Sequence, residues 1–157
     1  MVSLNRNLLL VALAAAELSV AAIPAQNATP QWQLMSAAEL KSGASGHFVT
    51  KAAINGTDVM VLIDTGATAV ALSYEDAQAV GLRPGSLDFD VPVSTANGIA
   101  KAAEVSLDRV EVDGVRVEDV QGLVLPEGAM RGTLLGMSYL SRLRSFKVED
   151  GVLYLRD

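Results

Sequence analysis

At 157 residues the chain is long enough for one domain with a buried core and too short for two substantial ones. Half the residues are apolar and only 4% are aromatic, so the core has to be built from Val, Leu, Ile, Met and Ala. A net charge of -6 without a basic stripe argues against a phosphate-binding surface and so against nucleic acid as a partner, the absence of cysteine excludes disulfides, thiolate catalysis and cysteine-based zinc sites, and a single histidine, His47, excludes histidine clusters.

In chain order, Arg6 precedes an apolar stretch from Leu8 to Ile23 that ends at Pro24 and Ala25 among small residues. The stretch is short for a membrane-spanning helix and Glu17 interrupts it, so residues 1–25 are predicted to be a cleaved signal peptide, with an uncleaved N-terminal membrane anchor as the alternative. The expected location is exported: periplasmic, or membrane-associated through residues 1–25 and facing the periplasm. Residues 26–46 mix polar and small residues with Pro30, Gly43 and Gly46, the composition of a linker, with one helical turn expected around Ala37 to Lys41. The folded domain is expected over 47–157.

Within it, Asn55-Gly56, Asp113-Gly114 and Asp150-Gly151 each sit between apolar-rich runs, and such pairs accept the positive φ angles of a two-residue hairpin turn. Three of them predict a mostly β domain of largely antiparallel strands. The candidate strands are 47–54, 57–63, 67–72, 87–93, 99–112 and 115–125, with 145–148 pairing with 152–155. Two short helices are expected. Ser73 can cap the first, with Asp76 three residues on and Gly81 as its stop; the second follows Gly136, where Met137, Leu140 and Leu143 recur at helical spacing. No internal repeat is present.

The stretch VMVLIDTGAT, residues 59–68, carries a carboxylate at the end of an apolar run. A buried ionised carboxylate costs several kcal/mol unless partners or a changed protonation state relieve it, so Asp64 is either well solvated or chemically special. The triplet alone is a weak signal, since it arises by chance in about one or two per cent of chains this long, and a strand-end Asp followed by Thr and Gly also suits an ordinary turn. Its surroundings add weight. Ala67 and Thr68 follow, a short apolar strand leads out, and Leu134-Leu135-Gly136 opens a helix some way downstream.

An apolar strand running into D-T-G-[AS]-[ST], with a later apolar-apolar-Gly before a helix, resembles the retropepsin-like aspartic proteases. The segments GHFVTKAAINGTDVMVLIDTGAT and TLLGMSYLSRL are similar to the bacterial single-domain branch of that clan. The resemblance covers the chain from about His47 onward and implies a closed acid-protease barrel in which the D-T-G loop and the Leu134-Leu135-Gly136 segment cross in a ψ-shaped structure. It also implies an aspartic endopeptidase with Asp64 as the catalytic acid at a subunit boundary. In that reading the Thr65 hydroxyl bonds the partner loop, Gly66 leaves room for its approach, and Ala67 and Thr68 complete the supporting loop. A flap hairpin is implied around Ala96, Asn97 and Gly98, with Asn97-Gly98 at its tip, and extended peptides with apolar side chains are the implied substrates.

The residue types suit that chemistry. Water attacks a peptide carbonyl well when one group takes its proton while another donates to the carbonyl oxygen, and two carboxylates sharing one proton do both. A chain with a single D-T-G assembles such a pair only as a two-fold homodimer that sets Asp64 beside its symmetry mate. No metal or organic cofactor is expected. Ile99 and Leu134 are read as core residues, His47 as a strand-start residue and Trp32 as part of the linker. Viral retropepsins follow the glycine of the second motif with Arg and an amide or acid; here Met137 and Ser138 stand there, and the flap holds fewer glycines.

Three rival readings are separable. Aspartyl-nucleophile phosphoryl-transfer enzymes carry D-K-T-G-T in a parallel α/β sheet, but the Lys is absent and the hairpin turns oppose that architecture. A catalytically silent relative would use the same fold for dimerisation or peptide binding. In a generic exported β-domain, D-T-G would be a chance turn.

Overall fold

A computed structural model describes residues 36–95 and 98–157. The expectations for residues 1–25, Trp32, Ala96 and Asn97 lie outside the described residues. The elements are β1 (Ala37–Lys41), β2 (Val49–Ile54), β3 (Thr57–Ile63), β4 (Val70–Leu72), α1 (Tyr74–Ala79), a 3-10 turn (Pro84–Ser86), β5 (Val91–Thr95), β6 (Gly98–Val112), β7 (Val115–Val124), β8 (Thr133–Leu135), α2 (Met137–Leu140), β9 (Ser145–Glu149) and β10 (Val152–Arg156). The larger sheet runs β2-β3-β8-β4-β7-β6-β5, and a further β2–β6 pairing closes its first six strands into a barrel. β5 hangs from β6 outside that ring. The smaller sheet is antiparallel in the order β1-β10-β9.

The three hairpins form where the turn residues put them. Asn55, Asp113 and Asp150 have φ of 51°, 49° and 50°, and the glycines after them 87°, 84° and 75°, the pairs of positive angles that match the right-handed twist of the flanking strands. They join β2 to β3, β6 to β7 and β9 to β10. Two pairings are parallel, β3 with β8 and β4 with β7. Parallel neighbours need long crossovers and leave no local turn signature.

The core fills the barrel with aliphatic side chains, among them Ile54, Val61, Leu72, Leu107, Val110, Val124 and Leu135, all at 1% exposure or less. In β7 the inward phase slips by one residue: Val115 and Val117 are buried, Glu118 and Asp119 are both exposed, and burial resumes at Val120. Asp119 takes φ 51° at that slip, a left-handed conformation that aspartate tolerates better than most side chains. The carbonyls of Glu118 and Asp119 there both accept from Nη1 of Arg142, which ties the segment after α2 to the kink.

Several expectations shift. The helical turn expected at Ala37 to Lys41 is instead strand β1, lying within the stretch read as linker; pairing with β10 buries Ala38 and Leu40 in alternation and overrides the helix-favouring composition. The strand expected from Ala67 begins at Val70, because residues 67–69 are committed to the crossing described below. The strand expected from Leu87 begins at Val91, after Pro84 has started a 3-10 turn. α1 forms as read, with Ser73 Oγ accepting from the Asp76 N–H at 3.1 Å and Gly81 beyond its end at φ 85°.

Among the described residues Tyr139 is the largest fully buried side chain, and its hydroxyl donates to the Val115 carbonyl at 2.8 Å, fastening α2 to the start of β7. Burial first, then the charges of Asp157 and Glu111, push its ionisation well above the ordinary tyrosine range, so it stays neutral. Tyr139→Phe keeps the ring but withdraws that donor, and should cost about 1–3 kcal/mol of stability. Urea unfolding should show a lower midpoint with an unchanged slope.

Candidate active site

β3 brings Asp64 to the end of the barrel. One face of the strand is buried through Val59 and Val61 while Met60 stands 54% exposed, so the apolar run before the acid is a half-buried strand. Asp64 itself is half-buried, and Thr65, Gly66 and Thr68 are exposed. The carboxylate is therefore reached by solvent, which settles the question of its cost in favour of partial solvation. Its Oδ1 accepts from the Gly66 N–H at 2.8 Å. That bond fixes the side-chain rotamer.

The loop is locked to the second motif through the backbone. Ile63 pairs in parallel with Leu135, the Asp64 N–H donates to the Leu135 carbonyl at 3.1 Å, and the Met137 N–H donates to the Ala67 carbonyl at 2.8 Å. Gly136 lies where the segments cross. A Cβ on it would stand 2.2 Å from the Ala69 carbonyl oxygen and 2.7 Å from that of Ala67. Of the second motif, Leu135 is fully buried and Leu134 is half-buried, so Leu134 is not the core residue the sequence suggested.

Ser138 is a supporting residue whose role the sequence did not reveal. Its hydroxyl accepts from the Val70 N–H at 2.9 Å and donates to the Gln121 carbonyl at 2.7 Å, joining β4, α2 and β7 behind the loop. On the other side of β8, buried Thr133 donates to Asp76 Oδ2 at 2.8 Å, tying β8 to α1.

A cleft of about 420 Å³ opens beside Asp64 and Thr65, walled by Phe48, Ile63, Phe146 and Val148, with exposed His47 also lining it. Among the described residues that line it, Asp64 is the only carboxylate. In the hairpin of β5 and β6, Gly98 pairs with Thr95 and opens β6 with φ 111°. Ile99 is 81% exposed there, contrary to the expectation that it joins the core. Among the described residues no group of three or more His, Asp or Glu could hold a metal ion.

Ser138→Ala would leave the Val70 N–H and the Gln121 carbonyl without this partner and should cost about 1–3 kcal/mol, read from a urea midpoint. Gly136→Ala should be far more severe, because the obstructing atoms are backbone and cannot rotate away. The expected outcome is loss of the cooperative unfolding transition altogether.

Residues 50–142 match the family described as "gag-polyprotein putative aspartyl protease". An uncharacterized protein from Sinorhizobium sp is 42% identical over 118 residues, 75% of this chain. The chain spans about half the length of the curated relatives it matches, 51% and 47%. Among solved structures, a retropepsin-like aspartic protease from Rickettsia conorii superposes with a TM-score of 0.70 at 32% identity, covering 78% of this chain and 91% of that one. The EIAV protease, solved with the inhibitor HBY-793, shares the fold with a TM-score of 0.52 at 23% identity over 64% of this chain and 91% of its own. With the family match spanning both crossing segments, the chain belongs to the retropepsin-like aspartic protease family.

Proposed function

We propose that the chain is one half of an aspartic endopeptidase, completed when a two-fold homodimer brings two Asp64 carboxylates together. The observation that carries this reading is a half-buried, rotamer-fixed carboxylate, the only acid among the described residues that line an open cleft. One such group can take a proton from water but cannot also donate to the substrate carbonyl; a second copy supplies the missing function. Two carboxylates within hydrogen-bond reach share a single proton over an acidic-to-neutral window, and their titration belongs to the pair.

In this mechanism the ionised member removes a proton from the bound water as it attacks the peptide carbonyl. The protonated member donates to the carbonyl oxygen, and the tetrahedral intermediate collapses as the amine leaves with a proton from the pair. Thr65 and Gly66 hold the two loops at the axis. The hairpin of β5 and β6, with Ile99 exposed, covers an extended peptide and limits water access. Residues 1–25 direct export, and the substrates are peptides or proteins met outside the cytoplasm.

Peptide hydrolysis followed across an acidic-to-neutral pH series should give a bell-shaped profile for the wild type, sensitive to pepstatin-type inhibitors. Asp64→Asn should lower the rate by about 10³-fold or more at every pH. A wild-type domain with no Asp64-dependent cleavage would identify a silent relative that uses the fold for dimerisation or peptide binding.

A further inference from the structure

α2 opens at Gly136 without a side-chain cap and runs for a single turn, Met137–Leu140, so its orientation is set by what its neighbouring side chains hold. Three of them hold carbonyls of β7: Tyr139 that of Val115, Ser138 that of Gln121, and Arg142, just past the helix, those of Glu118 and Asp119. Tyr139 is buried, and Ser138 also serves the Val70 N–H. Arg142 is exposed, and its Nη1 reaches two successive main-chain oxygens.

Successive carbonyls of a regular strand point to opposite edges, so one nitrogen does not ordinarily reach both. The register explains how it does here. Val112 and Val115 flank the two-residue Asp113-Gly114 turn and exchange hydrogen bonds, which makes Val110 with Val117, and then Asp108 with Asp119, the next rungs of that kind. The ladder keeps one register on either side but skips the rung between Asp108 and Asp119. Glu118, between rungs, turns its carbonyl away from β6. In the left-handed conformation of Asp119 the peptide units on its two sides align, so the Asp119 carbonyl leaves β6 and joins that of Glu118 in facing Arg142. The kink thus builds a two-oxygen receptor for one cation.

We propose that Arg142, seated on the Asp119 kink, is a positioning residue for Asp64: it fixes the exposed end of α2 and, through it, the crossing at Gly136 whose backbone bonds bracket the acid. The inference rests on the endopeptidase reading for its effect on catalysis. The path is short. Met137, the first residue of α2, donates to the Ala67 carbonyl, and Leu135, just before Gly136, accepts from the Asp64 N–H. The Ser141 N–H donates to the Met137 carbonyl and the Arg142 N–H to that of Tyr139, so a tilt at Arg142 is carried to Met137. Because the guanidinium is exposed while the barrel core is aliphatic, its loss should loosen the crossing without unfolding the barrel.

Amide hydrogen exchange and peptide cleavage, both measured on the full-length protein, test this together. In Arg142→Ala the amides of Asp64 and Met137 should exchange about tenfold faster, while those of Ala52 and Val59, paired across β2 and β3, keep their rates. With a quenched-fluorescent peptide carrying apolar residues at the cut, kcat should fall about tenfold and KM should stay within about twofold. The bell-shaped pH profile should narrow, since a looser pair of carboxylates is more weakly coupled and its two apparent pKa values draw together. Asp119→Val places a β-branched residue where the left-handed conformation is needed and should reproduce these effects; the double variant should be no worse than either alone, because both act through one link. Asp119→Asn tolerates that conformation and should keep wild-type exchange rates.

Unchanged exchange at Asp64 and Met137 in Arg142→Ala would overturn the proposal, and so would an equal acceleration at Ala52 and Val59, which marks a general stabiliser. An active enzyme whose kcat and pH profile ignore Arg142→Ala would overturn it too, with the endopeptidase reading left intact. Faster exchange confined to the crossing, in a wild-type protein without Asp64-dependent cleavage, would instead sink the enzyme reading and leave the positioning by Arg142 standing.

Discussion

The site depends on two backbone segments crossing closer than any side chain would permit. Gly136 has φ -95°, which every residue adopts, so the glycine is required for space and not for conformation. With the space left open, the Met137 N–H reaches the Ala67 carbonyl and the Asp64 N–H reaches that of Leu135. The acid's position is thus set by main-chain bonds on both sides of it, and its rotamer by a third bond from Gly66. Such an arrangement positions the carboxylate without relying on the packing of any long side chain.

Local chemistry was legible and distant partnership was not. Asn55-Gly56, Asp113-Gly114 and Asp150-Gly151 announce their turns because the φ angles they adopt are properties of two adjacent residues. The pairing of β3 with β8 joins residues some seventy positions apart and writes nothing into either strand; only the resemblance carried by D-T-G and Leu134-Leu135-Gly136 implied the crossing. The segment AAELK has a composition that favours a helix, yet Ala38 and Leu40 lie two apart, a strand period that makes sense only once β10 is beside it. Ser138 and Arg142 were silent for a related reason, since most of their partners are backbone carbonyls from elsewhere in the chain, which no side-chain pattern marks. The phase slip in VRVEDVQGLV is visible in the sequence once Asp119 is known to turn the strand over.

Partial solvation of Asp64 matters for the chemistry. A carboxylate sealed in the core would be driven to its neutral form and could accept nothing from water. Here the acid is held from behind by Gly66 and the crossing segments while the cleft side opens toward Phe146 and Val148. Exposed Thr65 and Gly66 lie next to it in the loop, where a second loop could approach. One chain thus presents a solvent-reached, rotamer-fixed carboxylate at the mouth of the cleft, with the exposed loop beside it.

Two charged side chains stand on β9 beside the cleft. The Lys147 hydrogen bond and charge hold the Glu149 carboxyl below the usual carboxylate range, so the two form an ion pair within one chain. Both side chains are largely exposed, and such pairs contribute little to the stability of a fold because water and salt screen them and their rotamers must be fixed. The same groups act differently on an open strand edge. A bare edge accepts almost any extended chain in any register, and natural sheets place charges on such edges to discourage it. Lys147 and Glu149 flank exposed Val148 and so discourage indiscriminate pairing along this strand. On this argument Lys147 and Glu149 do not hold the monomer together. They stand on an exposed strand of the smaller sheet, where charges discourage pairing with stray extended chains.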